Sequence, residues 1–246
     1  MAINRPYTLS IAGFDPSAGA GVLSDIKTFE SIGVYGFGVA CTNTVQSDSE
    51  FLGMEKVADG MVKKQISVLM QKFPIEFVKI GLVKDFDHLK TLVRTVKESN
   101  SDAKIIWDPI LKSSSGFEFH SPNSFDIQFI TEEIDFVTPN ALEFNILWPK
   151  GIDEVQAKLT RGAIVLKGGH ADKKGTDILI TSTQRTEIEG EPFAGNGKHG
   201  TGCVYSSALT AYLALGDSLE TACEKAKRYV EQFMLSNESL LGYHSK

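Results

Sequence analysis

A glycine-rich segment that runs directly into an apolar helix pattern is the part of this sequence best suited to bind an anion. It covers residues 195–203 and reads Gly-Asn-Gly-Lys-His-Gly-Thr-Gly-Cys. Apolar residues recur after it at helical spacing, so a flexible loop leads into a buried helix. At the start of such a helix, unpaired amides and the positive end of the dipole favour a phosphate or a developing negative charge. The amides concerned belong to Gly200, Thr201, Gly202 and Cys203.

Two well-known phosphate-binding patterns fit this segment only in part. Residues 195–200 match the dinucleotide pattern Gly-x-Gly-x-x-Gly, but three glutamates precede them in residues 186–192, where a buried parallel strand would be apolar. No lysine stands between Gly200 and Thr201, as a Walker A loop requires. The alternative to an anion site is a loop whose glycines only turn the chain into the helix.

The composition indicates one globular domain over residues 1–246. The chain is 42% apolar and 23% charged, as in ordinary soluble proteins. Its net charge of −6 argues against a nucleic-acid surface. The sequence shows neither an apolar signal core at its N-terminus nor a run of 18 apolar residues, which predicts a cytoplasmic protein without a membrane segment. Three cysteines without metal-ligand spacing suit a reducing compartment, and Cys41 and Cys223 are expected in the core.

The elements that must position the anion loop alternate between short apolar strands and amphipathic helices. The predicted strands cover residues 7–12, 36–45, 77–80, 104–108, 134–137, 163–166, 177–181 and 185–188. The predicted helices lie at about 22–29, 57–70, 86–96, after 203, and at 219–233 with Ser218 as the N-cap. This alternation predicts right-handed βαβ units and a mostly parallel sheet with helices on both faces, an α/β fold of three layers.

Polar residues follow the predicted strands where each one ends. Ligands of such sheets bind beyond the carboxyl ends of the strands, so we expect these side chains to converge on one edge. They are Asp15, Gln46, Lys79, Asp108, Asn140 and Lys167.

Six ordered motifs together resemble the hydroxymethylpyrimidine and phosphomethylpyrimidine kinases of thiamine biosynthesis, a branch of the ribokinase superfamily. The motifs are Ile11–Gly21 with Asp25–Phe29, Lys79–Leu82, Asp108–Leu111, Thr138–Asn140, Leu166–His170 and His199–Cys203. The resemblance covers nearly the whole chain. It implies a Ribokinase-like three-layer α/β/α fold and ATP-dependent phosphorylation of a hydroxymethyl group on an aromatic nitrogen heterocycle.

The resemblance also implies a substrate pocket beside the anion loop. It places Gly13 and Asp25 at the pyrimidine, with a hydrogen bond between Asp25 and the ring. It also implies that Gln46 recognises the edge of the ring. Residues 200–203 form the anion hole. The structural alternatives are that Asp25 belongs to a polar helix face and that Gln46 only ends a strand.

The implied cofactors are ATP and Mg²⁺. The residues that the resemblance assigns to the nucleotide are Lys167, Gly168, His170 and Asn140. Magnesium needs few protein carboxylates when nucleotide oxygens and water complete its shell. Asp108 and Glu143 are the candidates. The alternatives are a plain turn at residues 167–170, a turn-shaping role for Asp108 and a first-turn helix acid at 143.

Cys203 stands where sugar kinases of the superfamily usually have a catalytic aspartate. A thiol at a helix N-terminus has a lowered pKa, which predicts a partly ionised Cys203 able to accept the proton of the substrate hydroxyl. The alternative is a small residue that only spaces the amides, since phosphoryl transfer requires little base strength.

Departures from the family pattern leave the substrate open. Phe14, Ala18, residues 45–48, residues 141–142 and the pair Gly197-Lys198 all differ from the usual residues. The first interpretation of the sequence is a kinase that phosphorylates the pyrimidine, with or without activity on its monophosphate. The second is a pyridoxal or pyridoxine kinase, and the third a catalytically weak vitamer-binding protein of the same fold. The resemblance also implies a homodimer.

Overall fold

The computed structural model of the protein describes residues 5–111, 125–168, 175–191 and 197–245. Within these ranges nine strands are found. They are β1 (Tyr7–Phe14), β2 (Tyr35–Gln46), β3 (Phe51–Lys56), β4 (Ile75–Ile80), β5 (Lys104–Trp107), β6 (Phe136–Val137), β7 (Ala163–Leu166), β8 (Asp177–Ile180) and β9 (Arg185–Ile188). The helices of the same ranges are α1 (Gly21–Ile32), α2 (Asp59–Lys72), α3 (Phe86–Ser99), α4 (Ile127–Glu133), α5 (Ala141–Leu147), α6 (Ile152–Lys158), α7 (Thr201–Ala214) and α8 (Leu219–Leu235).

All nine strands lie in one sheet, in the order β3-β2-β1-β4-β5-β6-β7-β8-β9. Neighbouring strands of the sheet are parallel from β2 to β7. At the two ends, β3 pairs antiparallel with β2, β8 with β7 and β9 with β8. The carboxyl ends of the parallel strands therefore meet at one edge, where the loops to the following helices begin.

Helices cover both faces of the sheet. On one face α2, α3, α5 and α6 bury apolar residues against the central strands, including Ile66, Leu89 and Val155. On the other face α7 and α8 form a second cluster with β7 and β8, and α1 packs against α7. Each fully buried Leu, Ile or Phe contributes about 1.5–3 kcal/mol relative to an exposed one, so these two cores hold the edge loops in place. The predicted three-layer α/β architecture is confirmed.

The eight predicted strands and five predicted helices are all present, with ends that differ by a few residues. Ser218 caps α8 by accepting a hydrogen bond from the amide of Thr221, as expected. The prediction missed β3 because this outermost strand is half exposed and shows no clear alternation. It also missed α4, α5 and α6, which have seven residues each and are too short for a helical period to show. None of the helices in the described ranges is both long and apolar enough to cross a bilayer.

Candidate active site

A cavity of about 210 Å³ lies at the carboxyl edge of the parallel strands. Its walls come from the ends of β1, β2, β5 and β7, from the first turn of α5 and from the start of α7. The lining residues are Gly13, Ala20, Gly21, Thr44, Gln46, Phe51, Leu82, Asp108, Ile110, Asn140, Glu143, Lys167, His199, Gly200, Thr201, Gly202 and Cys203. Four of the six strand-end polar residues thus converge as predicted. Asp15 and Lys79 lie outside the lining.

The anion loop enters this cavity at the first turn of α7. Gly200 is the N-cap with a φ of 76°, in the left-handed region, and cannot accept a hydrogen bond through a side chain. A Cβ atom at Gly200 would lie 2.0 Å from the carbonyl oxygen of Gly19, so two backbones meet here directly. The amides of Thr201, Gly202 and Cys203 open the helix beside the cavity. This is the geometry of an anion site at a helix start.

Lys167 and Asp108 form a buried ion pair beside the first turn of α7. The Lys167 Nζ donates to Asp108 Oδ1 at 2.9 Å, and Ser206 Oγ donates to Asp108 Oδ2 at 3.2 Å. Burial alone would raise the pKa of Asp108, but the charges of Lys167 and Lys79 and the hydrogen bonds to Asp108 together outweigh it, and the pKa is lowered. Asp108 is therefore a carboxylate at neutral pH, and Lys167 is a cation within the cavity wall.

Glu143 belongs to a reciprocal cap at the start of α5. Its amide donates to Asn140 Oδ1 at 2.9 Å, and its Oε2 accepts from the amide of Asn140 at 2.8 Å. Burial and the neighbouring charge of Asp108 raise the pKa of Glu143 to about 7, against the opposing effect of Lys167. Burial is the largest of these causes, so the raised pKa of Glu143 reflects mainly its loss of water.

A second cavity of about 600 Å³ adjoins the first. It shares Asn140, Lys167, Thr201 and Gly202 with it and extends towards α8. Gly168 lines this second cavity, and its amide donates to Asp177 Oδ1 at 2.7 Å, which also accepts from Lys227 Nζ at 2.9 Å. His170, the other residue predicted at the nucleotide, lies outside the described residues. Two joined cavities with the anion loop between them suit a donor and an acceptor of a phosphoryl group.

Comparison with known proteins identifies the family. The model of the phosphomethylpyrimidine kinase family matches residues 15–245 of the chain. The chain belongs to this family. Hydroxymethylpyrimidine/phosphomethylpyrimidine kinase from Aquifex aeolicus is 32% identical over 94% of this chain and 95% of its own length. The chain is therefore a phosphotransferase, as its sequence predicted.

Solved structures show the same fold. Phosphomethylpyrimidine kinase from Clostridium difficile is 29% identical, with a TM-score of 0.78 over 93% of this chain and 99% of that one. Pyridoxal kinase from Staphylococcus aureus in complex with pyridoxal has a TM-score of 0.82, covering 97% of this chain and 92% of that one. Its identity is 23%, so this likeness shows the Ribokinase-like fold alone.

Cys203 of the kinase does not have the lowered pKa that the sequence predicted. Its side chain is 5% exposed, and burial raises the pKa of the thiol to about 12. The charge of Lys79 lowers this pKa, but Asp108 and Asp25 raise it further. The position at the helix start is as expected, whereas the expected thiolate is wrong because desolvation outweighs the dipole.

Cys203 in the native kinase is expected to react slowly with iodoacetamide at neutral pH, because the thiolate is the reactive form. Cys41 and Cys223 are also buried, with pKa values raised to about 12, and serve as internal standards. Peptide mass spectrometry after short exposure should find all three unmodified in the native protein and all three modified in guanidinium. Rapid modification of Cys203 alone would contradict the structure.

Asp25 was expected to contact the substrate, but the structure places it beneath the cavity. Its side chain is fully buried and is not part of the lining. Its carboxylate accepts from Lys79 Nζ at 2.7 and 2.8 Å, and from the hydroxyls of Ser10 and Ser207 at 2.5 and 2.7 Å. These four bonds engage both oxygens of Asp25 in this structure, and its predicted hydrogen bond with a bound ring stays a prediction. Gly13 and Gln46 do line the cavity.

His199 and Asp15 form a contact that the sequence did not predict. His199 Nε2 lies 2.9 Å from Asp15 Oδ2, and His199 lines the cavity. Burial alone would raise the pKa of Asp15, but hydrogen bonds from His199, Ser17 and Ala20 lower it. The pair ties the loop after β1 to the anion loop. The two residues stand 184 positions apart, so no local pattern signals their contact.

The contribution of Glu143 to the folding stability of the kinase should fall as the pH rises from about 4.5 to 7. Its pKa is 4.5 in the unfolded reference and about 7 in the fold, so between these values the folded state binds more protons than the unfolded state. Glu143→Gln cannot titrate and should lack this contribution. Urea unfolding in metal-free buffer across this range measures it as a widening gap between the two proteins; parallel curves would contradict the raised pKa.

Proposed function

We propose that this kinase transfers the γ-phosphoryl group of ATP to the hydroxymethyl group of 4-amino-5-hydroxymethyl-2-methylpyrimidine, and also to its monophosphate. The observation that carries the proposal is the single cavity that holds both the anion loop and Gln46. Relatives that share about a third of their residues with this chain are named for both activities.

The two cavities support a division of labour between substrate and nucleotide. In the proposal the pyrimidine lies in the first cavity, against Gly13 and Gln46, whose amide also donates to Thr44 Oγ1 at 2.8 Å. ATP lies in the second cavity, along Gly168 and Asn140, with its outer phosphates between Lys167 and the start of α7. The reacting groups then meet at Thr201 and Gly202, which line both cavities.

The residues present fit a divalent cation bound with the nucleotide. Burial and, to a smaller extent, the charge of Asp108 raise the pKa of Glu143, and a cation would compensate the second effect. Asp108 and Glu143 would hold Mg²⁺ together with nucleotide oxygens and water, and no group of three or more His, Cys, Asp or Glu side chains suited to a metal occurs in the described ranges. When bound, the ion neutralises charge on the phosphates.

The residues of the chain contribute mainly position and electrostatics to the proposed reaction. Phosphoryl transfer passes through a loose transition state whose charge spreads over the phosphoryl oxygens. Amides of residues 200–203 and the Lys167 ammonium point to where that charge develops and need no reorganisation. With its proton held by burial, Cys203 contributes its amide and its small size; a base role would require Cys203→Ala to lose more than about threefold in kcat.

A panel of acceptors tests the proposed function. Release of ADP is measured with the pyrimidine, its monophosphate, pyridoxal and pyridoxine, each with Mg²⁺ and with chelator. We expect turnover of the pyrimidine and its monophosphate that stops when the metal is removed. Preference for pyridoxal would assign the second reading of the sequence, and ring binding without ADP release the third; either would overturn the proposal.

We also propose a cytoplasmic homodimer. Three large apolar side chains are exposed at the end of the sheet that β3 forms. They are Phe14 in β1, exposed by 37%, Val45 in β2, exposed by 61%, and Leu52 in β3, exposed by 74%. Exposed apolar surface next to a terminal strand is typical of an interface. Light scattering of the purified kinase should give twice the chain mass, and Leu52→Glu should give the mass of one chain. A monomeric wild-type protein would contradict the proposal.

A further inference from the structure

The segment after α8 folds back onto the anion loop. Residues 236–245, called the C-terminal strap below, are held in a compact turn around Asn237. The amide of Ser239 donates to Asn237 Oδ1 at 2.8 Å, and Asn237 Nδ2 donates to the carbonyl oxygen of Leu241 at 2.9 Å. Further along, the ring of His244 packs 4.9 Å from that of Phe233 in α8. The strap is thus ordered by its own bonds and by its contact with α8.

Lys198 joins the anion loop to this strap. Its residue is 7% exposed, and its Nζ donates to the carbonyl oxygens of Asn237 and Ser239 and, at 3.0 Å, to Asn237 Oδ1. Among the described residues, no ion pair to a carboxylate involves Lys198, so these three oxygens compensate its charge. Hydrogen bonds from an ammonium are roughly twice as strong as neutral ones.

Further contacts continue from Lys198 to the reacting edge. The amide of His199 donates to the carbonyl oxygen of Leu240 at 2.9 Å, and the ring of His199 meets Asp15. Gly200, whose backbone conformation sets the first amides of α7, is the next residue. The strap also leaves α8, whose residues border the second cavity. It therefore links the nucleotide side of the site to the loop that receives the phosphoryl group.

We propose that Lys198 is a positioning residue for phosphoryl transfer, which holds the amides of residues 200–203 in place by binding the C-terminal strap. This inference rests on the proposed function, since it assumes that these amides face the transferred group. Lys198 does not line the cavity that holds Gln46 and Cys203, although it lines a neighbouring cavity that shares Gln46 and His199 with it. Because its Nζ is bonded to the strap, Lys198 acts through the loop and not by contact with the reacting atoms. A displacement of about 1 Å at such a site lowers rates by about a hundredfold.

The test compares two lysines that bind carbonyl oxygens. Lys198→Met removes the link to the strap. Lys97→Met is the control, because Lys97 Nζ donates to the carbonyl oxygen of Ala103 at 2.8 Å, near the amino end of β5 and away from both cavities. Lys97 also lies 3.5 Å from Asp135 Oδ2, which keeps its ion pairs with Lys104 and Arg161 in this variant. We expect Lys198→Met to lower kcat at least tenfold with KM for the ring changed less than twofold, and Lys97→Met to keep kcat. Lys198→Arg, which keeps the charge, should recover part of the loss.

Two further measurements keep the test decisive. Asn237→Ala removes one of the three acceptors and should lower kcat about two- to fivefold. It is the milder variant, and it replaces Lys198→Met in the test if Lys198→Met does not fold. Hydrogen exchange of the peptide covering residues 198–204 should be faster in the Lys198 and Asn237 variants than in wild type and Lys97→Met, whether or not turnover is measured. Unchanged exchange, or equal kcat losses for Lys198→Met and Lys97→Met, would overturn the proposal. Failure of the proposed function shows instead as wild-type protein that turns over none of the rings.

Discussion

Gly200→Ala is expected to lower kcat by about a hundredfold or more, the largest loss of activity for any small substitution in the anion loop. The φ of 76° costs an alanine about 1–2 kcal/mol, and its Cβ would lie 2.0 Å from the carbonyl oxygen of Gly19. Neither backbone has a flexible side chain that could yield, so the loop must move. Because Gly200 is the N-cap of α7, such a shift displaces every amide that faces the phosphoryl group.

Gly216→Ala is the matched control for this prediction. Gly216 has a φ of 91° just beyond the other end of α7, and a Cβ there would meet nothing within 4 Å. Gly216→Ala should lose about 1–2 kcal/mol in urea unfolding from the backbone conformation alone, and Gly200→Ala should lose more because of its contact with Gly19. The loss of kcat should be confined to Gly200→Ala, measured at a temperature where both remain folded. A Gly200→Ala enzyme with kcat near that of Gly216→Ala would show that the amides do not need this conformation.

Lys79→Met is expected to destabilise the fold by about 3–5 kcal/mol, because it leaves a buried carboxylate without its cation. Lys79 and Asp25 are both fully buried. Burial alone would lower the pKa of Lys79, but its interactions with Asp25 and with Asp108 and Cys203 together outweigh it, and the pKa is raised. After the substitution, Asp25 keeps only the hydroxyls of Ser10 and Ser207. Urea unfolding of the two proteins measures the difference.

Two comparisons separate the buried charge from general packing. Asp25→Asn with Lys79→Met removes both charges and should be more stable than Lys79→Met alone. Lys225→Met breaks the partly exposed pair with Asp217, where Lys225 Nζ lies 2.7 Å from Oδ1, and should cost less than about 1 kcal/mol. If the double variant is no more stable than the single one, the loss comes from the shape of the site and the argument from charge fails.

Hydrophobic periodicity was sufficient to predict the layered fold. Residues Ala163–Leu166 form a continuous apolar run, which is typical of a buried strand, and α3 has the apolar spacing of an amphipathic helix. Both elements lie where predicted. Gln46, Asp108, Asn140 and Lys167 reach one cavity because the order of parallel strands aligns their carboxyl ends. Such an arrangement follows from topology, which the alternation of elements already restricts.

By itself, then, the sequence determined the sheet, the anion loop at the start of α7 and the family of the chain. Only the tertiary structure decided the charge states and the contacts between distant loops. Asp25 is a buried acceptor of hydrogen bonds, Cys203 is a buried thiol and His199 is a partner of Asp15. Burial and neighbours that are distant in the sequence set these properties. The free energy of a charged or polar side chain depends on how much water it loses and on which partner replaces that water. The local spacing of residues in the sequence predicts neither the loss of water nor the partner, since both arise only when remote segments pack together.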